Sequence, residues 1–375
     1  MSLMNKGDGV PETKSSNLNF IMGDRLVHYF IEKNWSPLKV GVAFYGLALL
    51  SSFLISLISG TLLPNPASSR TAFLEDEFYF LSETILVPVV WGFYLWICKS
   101  PKEVLSKLQE AEVLKLRDED INPAKKILGN RWVIWMIAII GLIAAQQYYF
   151  QYADFFPRVW YNTHLVFLLL RSVLVIFPAA FAGCSIIIRG VINVIVFKHI
   201  LKGVNVNPLH PDRAGGLLPL GQYALTTTYL IALAGIVAAF AEYSAIQKGT
   251  FATATFFHLA IVVYIIAAPI SFFAPLGTAR SAMQEAKNSL MLRISKQFNQ
   301  DYSLAFNELA GSAEELKERL DKVEQLQKMQ KLTESFPIWP FDIETIRRFL
   351  FAITSPLIAI ALSILSDILK DLILG

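Results

Sequence analysis

Cysteine is almost missing from this 375-residue chain, which has only Cys98 and Cys184, and histidine is scarce at 5. Two thiols at distant positions exclude a disulfide scaffold, and no CxxC or HExxH pairing offers a zinc site. Asp, Glu, Lys and Arg together make up 17% of residues, little for a soluble globular protein. The net charge of +3 is too small to suggest nucleic acid as a partner. Also missing are a Walker A loop, a dinucleotide fingerprint, a Ser-His-Asp arrangement and a paired-carboxylate pattern. Neither an enzyme activity nor a cofactor therefore has an anchor here. His199, His210 and Asp212 have metal-binding side chains, but their irregular spacing carries no metal prediction.

What the chain has in quantity is apolar surface: 54% hydrophobic residues and a mean hydropathy of +0.47, with the charges gathered in blocks between apolar runs. This pattern predicts an all-α, polytopic helical membrane protein with six or seven transmembrane helices and a cytoplasmic helical hairpin. Residues 1–39 read as a cytoplasmic tail ending in a short surface helix over Asn19 to Glu32. No cleavage site precedes the first apolar run, so no removable signal peptide is expected. Residues 40–279 read as a transmembrane domain with six spans at about 40–63, 78–98, 132–152, 164–188, 220–245 and 253–279. Residues 280–335 read as the hairpin, and 336–375 as an interfacial segment with a last apolar helix that spans or dips in.

Local signals refine this parse. Pro88 predicts a kink in the second span. Ser100-Pro101-Lys102-Glu103 reads as the capped start of a separate amphipathic helix, with Val104, Leu108, Ala111 and Leu114 on one face. Tyr148, Tyr149, Tyr152, Phe155, Phe156, Trp160 and Tyr161 read as an aromatic belt at the outer interface. The apolar pattern after His164 continues past Arg189 to Phe197, too long for one crossing, so its end is expected in the cytoplasm. Ala234, Gly235, Ala238 and Ala239 give the fifth span a small-residue face. The hairpin breaks at Ala310-Gly311-Ser312, and its second arm carries Leu316, Leu320, Val323, Leu326 or Gln327, and Gln330 near a three-four repeat.

The distribution of Lys and Arg provides an orientation. With seven spans, the segments assigned to the cytoplasm hold 5, 8, 4 and 11 of them, against Arg70, Arg158, Lys248 and Lys370 on the other side. The bias predicts a multi-pass protein of the cell inner membrane with a cytoplasmic N-terminus.

Two sets of residues are candidate sites. Glu83 and Arg171 lie at similar depths on the second and fourth spans, where each supplies the counter-charge the other needs. They form a structural ion pair or snorkel to headgroups, or else take part in permeation or coupling. The loop from Asn205 to Gly221 holds His210, Asp212, Arg213, Gly215 and Gly216 just ahead of a span. Its glycines permit close backbone approach, and a helix N-terminus offers N–H groups to a small anionic ligand beside Arg213. The alternative is a turn in which Asp212 and Arg213 pair.

The HPDRAGGL stretch in this loop, with the WPFD stretch from Trp339 to Asp342, resembles a type of multi-pass bacterial membrane protein. The resemblance covers roughly the second half of the chain and implies a fixed loop, with no activity attached. The functional expectation is a homo-oligomeric channel or transporter with the hairpin as a gating or assembly element. The alternative is a non-conducting scaffold or signalling component that recruits a cytoplasmic partner.

Overall fold

The computed structural model describes residues 24–114, 131–155, 159–201, 204–207, 210–247, 255–307 and 313–374. In chain order the helices are α1 (Arg25–Glu32), α2 (Pro37–Ile58), α3 (Glu77–Glu110), α4 (Arg131–Phe155), α5 (Leu165–Arg171) and α6 (Phe177–Ile200). They continue with α7 (Leu218–Gln247), α8 (Thr255–Asn307), α9 (Ala313–Glu334) and α10 (Ile343–Leu374). A five-residue π turn, Ser172–Ile176, joins α5 to α6 without a break in the rod. It lies just ahead of Pro178, which has no N–H to give the helical ladder.

Among the described residues the protein is helical, and the extended chain contributes only an isolated bridge between Thr71 and Val159. Among the described residues, five stretches are long and apolar enough to cross a membrane: Pro37–Ile58, Tyr79–Glu110, Leu165–Ile200, Leu218–Phe240 and Ile261–Leu304. A shorter apolar stretch, Trp132–Ile143, lies in α4. Each crossing stretch is at most half buried inside the protein, as expected of helices whose outer faces meet lipid.

The core is organised around α3, which packs against α1, α2, α6 and α7. Small residues set the spacing. A Cβ on Gly41 of α2 would lie 2.3 Å from the Pro88 carbonyl oxygen of α3, so only glycine permits this approach. On α7 the buried small residues are Gly221, Ala224, Ala232, Gly235 and Ala239. A Cβ on Gly235 would fall 2.5 Å from the Tyr264 ring of α8.

In contrast to the separate helix expected from Ser100, α3 runs for 34 residues through Pro88 and Pro101. Pro101 cannot donate to the carbonyl of Ile97, and Asn193 of α6 supplies the missing donor at 3.1 Å. Val104, Leu105 and Leu108 then continue straight into the core. The same device recurs at Pro356 of α10. There the Tyr264 hydroxyl of α8 donates to the carbonyls of Ala352 (3.3 Å) and Ile353 (2.7 Å).

The N-terminal helix α1 buries Val27 and Phe30 in the main core, with Phe30 edge-on to Phe44 of α2, and leaves Leu26 and Tyr29 exposed. At the other end of the chain α9 packs against α8. Lys287 of α8 donates to the Glu334 (2.6 Å) and Phe336 (3.0 Å) carbonyls, which ties the end of α9 to the middle of α8. The inward stripe of α9 is Arg319, Val323, Leu326, Gln330 and Thr333, so Leu320 points outward, one position off the expected repeat. The break at 310–312 and the side chain of Leu316 lie outside the described residues.

Candidate functional site

Two buried ion pairs connect the α5–α6 rod to the rest of the bundle. The first begins with Asp76, the N-cap of α3, whose Oδ1 accepts from Tyr79 N (3.0 Å) and whose Oδ2 accepts from the Trp160 indole (3.1 Å). Thr61 Oγ1 donates to the Trp160 carbonyl at 3.1 Å, and Phe73 meets the Trp160 ring edge-on at 5.0 Å. These contacts gather Thr61, Phe73, Asp76, Tyr79 and Trp160 into an aromatic cap. Trp160 and Tyr161, expected in an interfacial belt, are buried in it because Asp76 gives the indole N–H an internal acceptor. The more N-terminal aromatic side chains of that belt, Tyr148 to Phe156, lie outside the described residues.

Below the cap, Arg171 Nη2 lies 2.6 Å from Glu83 Oε1, with the two side chains 7% and 9% exposed. Arg171 Nη1 also approaches Ser52 Oγ at 3.4 Å. The guanidinium carbon sits 5.1 Å from the Tyr79 ring centre, 5.1 Å from Trp160 and 4.5 Å from Tyr161. Three ring faces and a carboxylate thus share one cation. Glu83 Oε2 has no hydrogen-bond partner among the described residues.

The second pair joins Arg189 of α6 to Asp24, the N-cap of α1, with Nη2 3.0 Å from Oδ2. Tyr94 of α3 donates its hydroxyl to the same Oδ2, and Asp24 Oδ1 accepts from Leu26 N at 3.0 Å. Arg189 Nη1 contacts Cys98 Sγ, and its guanidinium lies 5.3 Å from the Tyr94 ring centre. One turn on, Asn193 bridges Ile97 O and the Tyr223 hydroxyl, at 3.1 Å each. Arg171 and Arg189 are 18 residues apart, a rise of about 27 Å. That is close to the roughly 30 Å thickness of a bilayer's hydrocarbon core.

The two pairs differ in how fully they are closed. Both Asp24 oxygens are engaged, whereas Glu83 has one oxygen without a partner among the described residues and Arg171 has a cage. Asp24, Tyr94, Cys98, Arg189 and the caging role of Trp160 and Tyr161 were not singled out from the sequence. Arg189 did leave a signal, since a full charge inside an apolar run demands a partner.

The central loop is built around Asp212. Its Oδ1 accepts from Ala214 N (2.9 Å) and Gly216 N (2.9 Å), and its Oδ2 accepts from Leu218 N (3.2 Å) at the start of α7. His210 Nδ1 lies 2.8 Å from Oδ1, an ion pair when the imidazole is protonated. The N–H groups considered for a bound anion are therefore held by the protein's own carboxylate, and Asp212 meets His210 where a pair with Arg213 was the alternative. Gly215 and Gly216 have φ of 67° and 87°, and Cβ atoms there would lie 2.5 Å from Val206 Cγ1 and 2.4 Å from Val113 Cγ1. Their freedom serves the turn and its docking on the end of α3. Arg213 is exposed with φ of 55°, and an anionic ligand at this loop would have to rely on it. Among the described residues no group of three or more His, Cys, Asp or Glu is placed to hold a metal, and both cysteines are free.

Burial pushes the Asp212 carboxyl up, but the N–H groups of Gly216 and Ala214, His210 and Leu218 outweigh it and hold it below the ordinary carboxylate range. Its stabilisation is therefore complete above the unfolded-state value and is lost as pH falls through the lower folded one. Asp212→Ala is expected to cost about 2 kcal/mol by stranding buried donors. In thermal unfolding followed across acidic pH, the wild type should lose an increment of stability that the variant no longer has to lose. An unchanged acid limb would contradict this role.

No known protein family, curated protein or solved structure matches the chain.

Proposed function

We propose that this is a seven-span protein of the cell inner membrane that works as a homo-oligomeric channel or transporter. Its N-terminus, central loop and hairpin are cytoplasmic, and the hairpin acts as a gating or assembly element. The observation that carries the reading is the continuity of α8. Its 53 residues extend about 80 Å, far more than a hydrocarbon core of about 30 Å can contain. One rod therefore links the transmembrane bundle to α9, and a force or contact on the hairpin is delivered to the helices packed on α7. Residues 40–279 and the last apolar helix are the membrane part in this reading, with 280–335 the lever.

Exposed apolar residues on the lever favour a second reading, a scaffold that recruits a cytoplasmic partner. Leu292, Leu320 and Leu332 are 72%, 53% and 66% exposed outside the packed bundle. Reconstitution into liposomes and planar bilayers separates the two. The transport reading predicts ion or solute flux, altered by Leu292→Ser, Leu320→Ser and Leu332→Ser together with the oligomer mass. Folded, oriented protein that neither conducts nor moves solutes under any gradient would leave the scaffold.

A further inference from the structure

Glu83 and Asp24 are both buried carboxylates facing an arginine of the same rod, yet only one is saturated. Asp24 has Leu26 N on one oxygen and Tyr94 and Arg189 on the other. Glu83 spends Oε1 on Arg171 and leaves Oε2 without a partner among the described residues. The cations differ in the complementary sense. Arg189 faces one ring, whereas Arg171 is held by three ring faces and Ser52. A guanidinium with that cage stays solvated by the protein when its carboxylate partner is neutral.

We propose that Glu83 is a proton-binding site, taking up a proton at Oε2 while Arg171 remains charged within the aromatic cap. The proton comes from bulk water and forms one O–H bond at Oε2. Oε1 becomes the carbonyl oxygen and keeps the hydrogen bond from Arg171 Nη2. No other bond forms or breaks, and the charge of the pair goes from zero to +1. The titratable and charged groups around it are Arg171 of α5, Tyr79 of α3, Tyr45 of α2, and Tyr161 and Asp76 of the cap. Asp76 is committed to Tyr79 N and the Trp160 indole, so it does not offer the same open oxygen. In a transporter this proton would be the coupling ion. That use rests on the transport reading above, but the existence of the site does not.

Infrared difference spectroscopy of the full chain in lipid nanodiscs, taken from alkaline to acidic buffer, tests the site without any transport assay. A protonated-carboxyl C=O band, shifted in D2O, should grow on acidification. It should be lost in Glu83→Gln and kept in the double variant Asp24→Asn/Arg189→Gln. Should Glu83→Gln fail to fold, Glu83→Asp must move the band's midpoint. No band, a band indifferent to both Glu83 variants, or a band lost in the Asp24/Arg189 variant would overturn the proposal. A Glu83-dependent band in protein that shows no flux would sink the transport reading and leave the proton site standing.

Discussion

Asp24→Asn is expected to destabilise the folded protein by about 3–5 kcal/mol, because it leaves the Arg189 guanidinium buried without its counter-charge. The remaining partners are one ring face and a thiol, and neither offsets the loss of hydration. Asp24 is the N-cap of α1, so the effect should show first as release of that helix. Removing both charges with Asp24→Asn/Arg189→Gln should recover much of the stability, since the double variant strands no ion. Thermal unfolding in detergent with hydrogen exchange across Arg25–Glu32 measures both effects. A cost for Asp24→Asn no larger than that of an exposed surface substitution would show that the pair does not hold α1.

The second large effect is an asymmetry within the Glu83–Arg171 pair. Arg171→Gln should cost about 3–5 kcal/mol, because a Glu83 carboxylate with one unpartnered oxygen is then left in low dielectric with no cation. Glu83→Gln should cost distinctly less, because the three rings and Ser52 still surround the guanidinium. The double variant should lose less than the sum of the two. A cycle of four unfolding midpoints reads all of this. Equal costs for the two single variants would remove the caging role of Tyr79, Trp160 and Tyr161, and strict additivity would mean that the pair does not interact.

What could be read in advance depended on how local its cause was. The helical membrane class was legible because lipid forces long apolar runs whatever the tertiary fold. Glu83 and Arg171 stood out because each is a charge in the middle of such a run. Arg189 was hidden by sitting where the run became too long for one crossing. Its partner Asp24 lies 165 residues away in a polar segment, where an acid is unremarkable until α1 docks. The continuity of α3 was equally out of reach, because the donor that compensates for Pro101 comes from Asn193 on another helix. Trp160 and Tyr161 suit an interface or a core equally well by composition, and the choice was made by the Asp76 acceptor. Asp212 is the opposite case. An aspartate ahead of two glycines and a helix start is a short-range pattern, and its carboxylate accepts from the Ala214, Gly216 and Leu218 N–H groups.

The claim on which the functional account rests is that α8 leaves the bilayer as one rod and enters the cytoplasm as the hairpin. Single cysteines placed along it in a Cys98→Ser/Cys184→Ser background, probed with impermeant reagents from each side of sealed vesicles, test it most directly. Serine at position 98 keeps a polar partner for Arg189. The account predicts protection from both sides at Val262 and Ile266, then labelling only from the cytoplasmic side at Leu292, Tyr302 and Leu332, with Ala67→Cys labelled only from outside. Labelling of Tyr302→Cys or Leu332→Cys from the outside, or renewed protection of the whole stretch beyond Leu292, would contradict it.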